Sequence, residues 1–247
     1  MTRIDVTVPT PDGECPATLH VPDGGSPAPA VILYVDAGGF RETMRVMGDR
    51  IAEMGYVALV PDVYYRAGDW APFDLATVFS DPEQRTRMFS LMGQLTGERI
   101  GSDTGAFLDF LASRPEVAGT KVGTTGYCMG GRASLIAAGH HGDRIAAAAS
   151  FHGGNLAATD NPDSPHLRAD HIGATVYVAG ATDDGSFPAE QFERLDEALT
   201  AAGVAHTIET YPAGHGFAVP DNPTYDATAE ERHWKALEQL YGSVLSG

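Results

Sequence analysis

The sequence predicts an α/β domain on a mostly parallel sheet with helices on both faces. Three observations carry this: short, continuous apolar runs alternate with segments of helical period, the one hairpin signal lies at the N-terminus, and glycine-containing loops join the pieces. The chain has 247 residues, of which 43% are hydrophobic, enough to fill one sizeable core. No internal repeat, low-complexity tract or linker divides it, so residues 1–247 are expected to form a single domain.

Ile4–Val8 and Ala17–Val21 are strand-like and flank a segment of Pro, Asp and Gly, which predicts an antiparallel hairpin with Cys15 in its turn. Ala30–Val35 is an unbroken apolar run of the kind found in central parallel strands, and it leads into the polar, glycine-rich loop Asp36–Gly39. Met44, Met47, Ile51 and Met54 then recur every three or four positions, predicting a helix from Arg41 that Gly55 ends. Tyr56–Val60 is the next strand. Across 62–98 the aromatic and aliphatic residues follow no single period, and short helices and loops are expected. A helix over about Gly97–Arg114 precedes the strand Val122–Tyr127, and the small-residue stretch after Cys128 is helical. Ile145–Phe151, Thr175–Ala179 and His206–Tyr211 are further strands, Ala189–Ala202 a helix closed by Gly203, and Ala227–Leu245 the last helix.

Charge narrows the partners. Lys plus Arg number 16 against 33 Asp plus Glu, a net −17 that repels phosphate backbones and anionic lipid surfaces, so no nucleic-acid partner is expected. No window approaches the roughly 18 apolar residues of a membrane span, and the first residues lack a leader pattern, which predicts a cytoplasmic protein without a membrane partner. Cys15 and Cys128 show neither a CxxC nor a Cys/His ligand spacing, so neither disulfide, metal nor other cofactor is expected.

The informative segment is Gly126-Tyr127-Cys128-Met129-Gly130, a G-x-C-x-G between an apolar strand and a helix. Such a strand-to-helix turn holds its central residue in a strained conformation, and its neighbours must be small for the backbones to pass. It also sets the sulfur at a helix N-terminus, where free N–H groups favour a thiolate, and aims the Met129 N–H at an oxyanion. A nucleophile of this kind is followed along the chain by an acid after a late strand and a histidine before the last helix. Asp183 and Asp184 follow Thr175–Ala179, and His215 follows His206–Tyr211. His152, after the strand ending at Phe151, should open onto the same sheet edge and is a candidate substrate contact, as is Tyr127 within the motif.

With these residues assembled, the chain resembles the dienelactone hydrolase family of α/β-hydrolases from about residue 15 onward. The resemblance is carried by Gly126-Tyr127-Cys128-Met129-Gly130-Gly131, by Pro61-Asp62-Val63-Tyr64-Tyr65-Arg66 and by His215-Gly216-Phe217. It implies a triad of Cys128, Asp184 and His215, with Pro188 four residues after Asp184 favouring that aspartate over Asp183. It also implies that Asp36 meets the resting thiol, that Ala37 and Met129 supply the oxyanion hole, and that Arg66 binds a substrate carboxylate. Two positions depart from the family: Asp36 stands where founding members have Glu, and Val219 where they have a second carboxylate-binding arginine.

The implied activity is hydrolysis of an activated ester or enol lactone through a thioester, on a small-molecule substrate, by a monomer or homodimer. A thiol's pKa of about 8.5 makes sulfur a better leaving group than an alkoxide, so alkyl esters should react poorly. An acyltransferase or thioesterase on the same fold, or a non-catalytic small-molecule binder, are the alternatives.

Overall fold

The structure, a computed structural model, describes residues 1–245. Its eight strands are β1 (Thr2–Thr10), β2 (Gly13–Val21), β3 (Ala30–Tyr34), β4 (Val57–Pro61), β5 (Val122–Tyr127), β6 (Ile145–Phe151), β7 (Thr175–Ala181) and β8 (His206–Tyr211). They form one sheet in the order β1-β2-β4-β3-β5-β6-β7-β8. β3 to β8 run parallel, while β2 pairs antiparallel with both β1 and β4. This is the mostly parallel sheet with an N-terminal antiparallel hairpin that the alternation of apolar runs predicts.

Six α-helices are described: α1 (Glu42–Glu53), α2 (Pro82–Met92), α3 (Gly97–Ala112), α4 (Met129–His140), α5 (Ala189–Ala201) and α6 (Ala227–Val244). α1 buries Met44, Met47 and Ile51 against β4 and β2, and α6 packs on β6 and β7, with Arg50 of α1 stacked over Trp234 of α6. α3 and α4 cover the opposite face. No helix among the described residues is long and apolar enough to cross a membrane.

The hairpin is longer than the apolar pattern suggests, and Cys15 lies inside β2 rather than in the turn. It is paired with Val8, fully buried, and its thiol faces the Asp62 carbonyl. The alternation of burial along β2 explains the difference: Cys15, Ala17 and Leu19 share the core face, so the sulfur counts as one more apolar side chain. In the region without a clear period, α2 is set by its ends. Asp81 accepts from the Glu83 and Gln84 N–H groups and Pro82 occupies the first turn, although only Met88 and Leu91 are buried and Phe89 is exposed.

The sheet places the chemistry through close backbone contact. β6 reads Ile-Ala-Ala-Ala-Ala-Ser-Phe, and its small side chains let α4 settle deeply. Gly126 lies against the Gly130 carbonyl, Gly130 against the carbonyl oxygens of Tyr34 and Val35, and Gly131 against Ser150, leaving no room for a Cβ at any of the three. Gly130→Ala should therefore cost several kcal/mol, at the upper end for a single substitution, or prevent folding. Gly242→Ala, at an open position of α6, should be neutral or stabilising by about 1 kcal/mol or less. Urea denaturation followed by circular dichroism checks both.

Candidate active site

Cys128 follows β5 directly and takes φ 55° and ψ −118°, a strained left-handed backbone. Holding a non-glycine residue there costs on the order of 1–3 kcal/mol, and the surroundings must enforce it. Its N–H is fixed twice, by the Phe151 carbonyl at 3.1 Å and by His152 Nδ1 at 3.1 Å. The thiol is partly exposed at the start of α4. Met129, the first residue of that helix, has a backbone N–H without an intrahelical acceptor.

His215 lies in the loop between β8 and α6, with Nδ1 2.7 Å from Asp184 Oδ2. Asp184 is in turn oriented by Ser186, whose N–H and hydroxyl reach Oδ1 at 2.9 and 2.6 Å. Neighbouring Asp183 is exposed, with φ 53°, so the turn presents one carboxylate outward and one inward. Burial works against a charge on His215. The hydrogen bond to Asp184 and the nearby Cys128 sulfur outweigh it and push the imidazole's pKa up to about 10. Asp184 is also partly buried, which would raise its pKa, but His215 and Ser186 hold it below the usual carboxylate range.

On the other side of Cys128 the β3–α1 loop carries Ala37. The Tyr64 hydroxyl lies 3.3 Å from the Ala37 carbonyl and 3.1 Å from Met129 Sδ, tying together the two residues expected to supply oxyanion donors. Trp70 packs edge-on against Tyr64, donates to Asp62 at 2.8 Å, and presses on Gly39, so it closes this loop. Asp36 is 2% exposed and bonded to Arg41 at 2.6 and 3.0 Å and to the Gly38 N–H at 2.9 Å. Arg41 also grips Asp221 with two bonds of 2.7 Å. One guanidinium thus joins the loop of Ala37 to the segment just after His215.

The remaining candidates sit differently. Tyr127 is fully buried, with its hydroxyl donating to His233 Nε2 on α6 at 3.0 Å, so it faces the core between sheet and helix. His152 is 1% exposed and packs edge-to-face with His215 at 5.2 Å and Phe217 at 4.9 Å. Burial, then the neighbouring His215 and His233, hold it neutral far below its ordinary range. Because Nδ1 accepts from Cys128, its proton is on Nε2. Arg66 pairs bidentately with Asp103, both bonds 2.7 Å, and with Asp12 at 2.7 Å. Its charge is met within the protein. Val219 is fully buried. Ser186, Arg41 and His233 escape a reading of the sequence because their partners belong to other elements or, for Ser186, to a turn whose shape fixes the contact.

Two expectations follow from the ion pairs. Arg41→Met leaves Asp36 buried without its partner and should cost about 3–5 kcal/mol, while adding Asp36→Asn should recover much of that loss. Urea midpoints of the single and double variants measure it. His215 has a folded pKa raised above its ordinary value of 6.5 to about 10, so its contribution to stability is complete below 6.5 and lost as pH rises through 10. Asp184, being depressed, contributes above about 3.9 and loses that contribution in acid. The stability gap between wild type and Asp184→Asn should be widest between about pH 4 and 6.5 and narrow toward about pH 10. A series of urea titrations across pH checks it.

Comparison with known proteins agrees with this architecture. A sequence profile described as the dienelactone hydrolase family matches residues 15–245. A carboxymethylenebutenolidase of Pseudomonas putida is 26% identical over 227 residues, 91% of this chain and 89% of that protein. A Synechocystis protein provisionally named for the same activity is 29% identical over 246 residues, 97% of this chain and 96% of its own. Among solved structures, the dienelactone hydrolase-like promiscuous phosphotriesterase P91 from metagenomic libraries is 27% identical with a TM-score of 0.76, covering 100% of both chains. With nearly the whole chain matched, the protein belongs to the dienelactone hydrolase family, and it is a hydrolase with the α/β-hydrolase fold.

Proposed function

We propose that the protein cleaves an activated ester or enol lactone through a thioester on Cys128, with His215 and Asp184 completing the triad. The observation that carries this reading is the 2.7 Å bond from His215 Nδ1 to Asp184, in the loops that follow β8 and β7 beside the strained cysteine turn.

With Nδ1–H donated to Asp184, His215 Nε2 is left to take the proton of Cys128. The thiolate attacks the carbonyl carbon, and the oxygen gathers charge against the Ala37 and Met129 N–H groups. The intermediate collapses by expelling the alcohol or enolate, which takes the proton from His215. Water, deprotonated by His215, then attacks the thioester, releasing the acid and restoring the thiol. Because sulfur leaves readily, the forward path needs a leaving group stabilised as an anion: an enolate, a phenolate or a thiolate. The names carried by the Pseudomonas putida and Synechocystis relatives favour the enol lactone.

Intact-mass spectrometry after mixing with a 4-nitrophenyl ester should show one acyl adduct, mapping to Cys128 and absent in Cys128→Ala. In the same assay Asp184→Asn should lower kcat by orders of magnitude, whereas Asp183→Asn and Cys15→Ser should stay close to wild type. Turnover surviving in Cys128→Ala, or an adduct on another residue, would remove the cysteine from the mechanism.

A further inference from the structure

The arginines of this chain are almost all accounted for. Each of the others meets a carboxylate, a carbonyl, a side-chain amide or an aromatic face. Arg132 alone has no hydrogen bond, ion pair or stacked ring for its side chain among the described residues. It is also placed where a cation is least welcome. α4 begins at Met129, and Arg132 sits in its first turn, at the positive end of the helix dipole.

Its surroundings are equally particular. Between Met129 and Gly139 every residue of α4 is buried except Arg132. The side chain therefore leaves an otherwise enclosed helix at its first turn, one turn from Cys128, to whose carbonyl the Arg132 N–H donates at 3.4 Å. The charge of Asp163 reaches the guanidinium, but Asp163 already accepts from the Gly97 N–H at 2.8 Å. Burial lowers the proton affinity of Arg132, whereas Arg41 and Arg66 are raised by their carboxylates. A partly buried guanidinium without a counter-charge is costly to keep unless something else supplies the anion.

We infer that Arg132 is a specificity-determining residue that receives an anionic group of the substrate beside the Cys128 thiol, in place of Arg66, whose charge Asp103 and Asp12 neutralise. The assignment rests on Cys128 as the nucleophile. It requires the substrate to carry its negative charge near the scissile carbonyl, on either the acyl or the leaving side. A net charge of −17 disfavours anions at long range, so any preference for them must come from a local cation.

Two pairs of aryl esters test it: mono-4-nitrophenyl glutarate, with the carboxylate on the acyl side, against neutral 4-nitrophenyl butyrate, and 4-acetoxybenzoate, with the carboxylate on the leaving side, against neutral phenyl acetate. The readout is the ratio of kcat/KM for the anionic ester to that for its neutral counterpart, which cancels any general loss of activity. Wild type should favour at least one anionic ester, and Arg132→Gln should reduce that ratio about tenfold or more, with Arg132→Lys in between. Arg66→Gln should keep the wild-type ratio within about twofold. A wild type without preference for either anion, a ratio that survives Arg132→Gln, or one that collapses in Arg66→Gln would overturn the assignment. Turnover is measured whichever side chain carries the acyl group, so a missing adduct at Cys128 would sink the nucleophile and leave the Arg132 ratio to be judged separately.

Discussion

Everything at the site depends on how closely α4 passes beneath β5 and β3. Gly126, Gly130 and Gly131 bring backbone against backbone and against Ser150, and only that approach lets the chain turn from strand to helix within one residue. The residue in the turn takes a left-handed conformation it would not choose, and the cost is met by burial of nearly all of α4 between the sheet, α3 and the 3₁₀ segment Pro165–His171. The alanines of β6 belong to the same constraint, since larger side chains there would lift the helix.

Around that fixed point the structure arranges two loops from distant parts of the chain. One carries Ala37, the other His215, and each is braced by polar groups that do not touch the sulfur. Tyr64 spans Ala37 and Met129, Ser186 steadies Asp184, and Arg41 holds Asp36 and Asp221 together. Asp36 thereby becomes an anchor of its own loop. Founding members of the family resembled have Glu at this place, one methylene longer; the Asp36 carboxylate pairs with Arg41, five residues along.

Much of this was legible in the sequence, and the reason is locality. A strand is an apolar run, a helix a period, and the cysteine turn a spacing of glycines, all contained within a few residues. The order of Cys128, Asp184 and His215 is likewise visible, because each lies at the end of a recognisable strand. Tyr127 shows where this stops: alternation puts its side chain on the same face of the sheet as that of Thr125, but only the packing of α6 decides that His233 receives the hydroxyl. Arg66 shows the same limit. A motif records the residue and is silent about Asp103 and Asp12, which come from α3 and the hairpin turn. Cys15 was drawn into the turn by its polar neighbours, although its register with Val8 makes it part of the core.

The two sulfurs differ in a way that bears on redox chemistry. Burial pushes the Cys15 thiol far up, and the Asp62 carbonyl occupies it, so it stays protonated and out of reach of oxidants. Cys128 is partly exposed and is the one other cysteine in the chain. A sulfenic acid formed there would find no resolving thiol within the molecule and could not be parked as an internal disulfide. Recovery would depend on a small thiol from solution reaching the partly exposed sulfur before a second oxidation made the loss permanent.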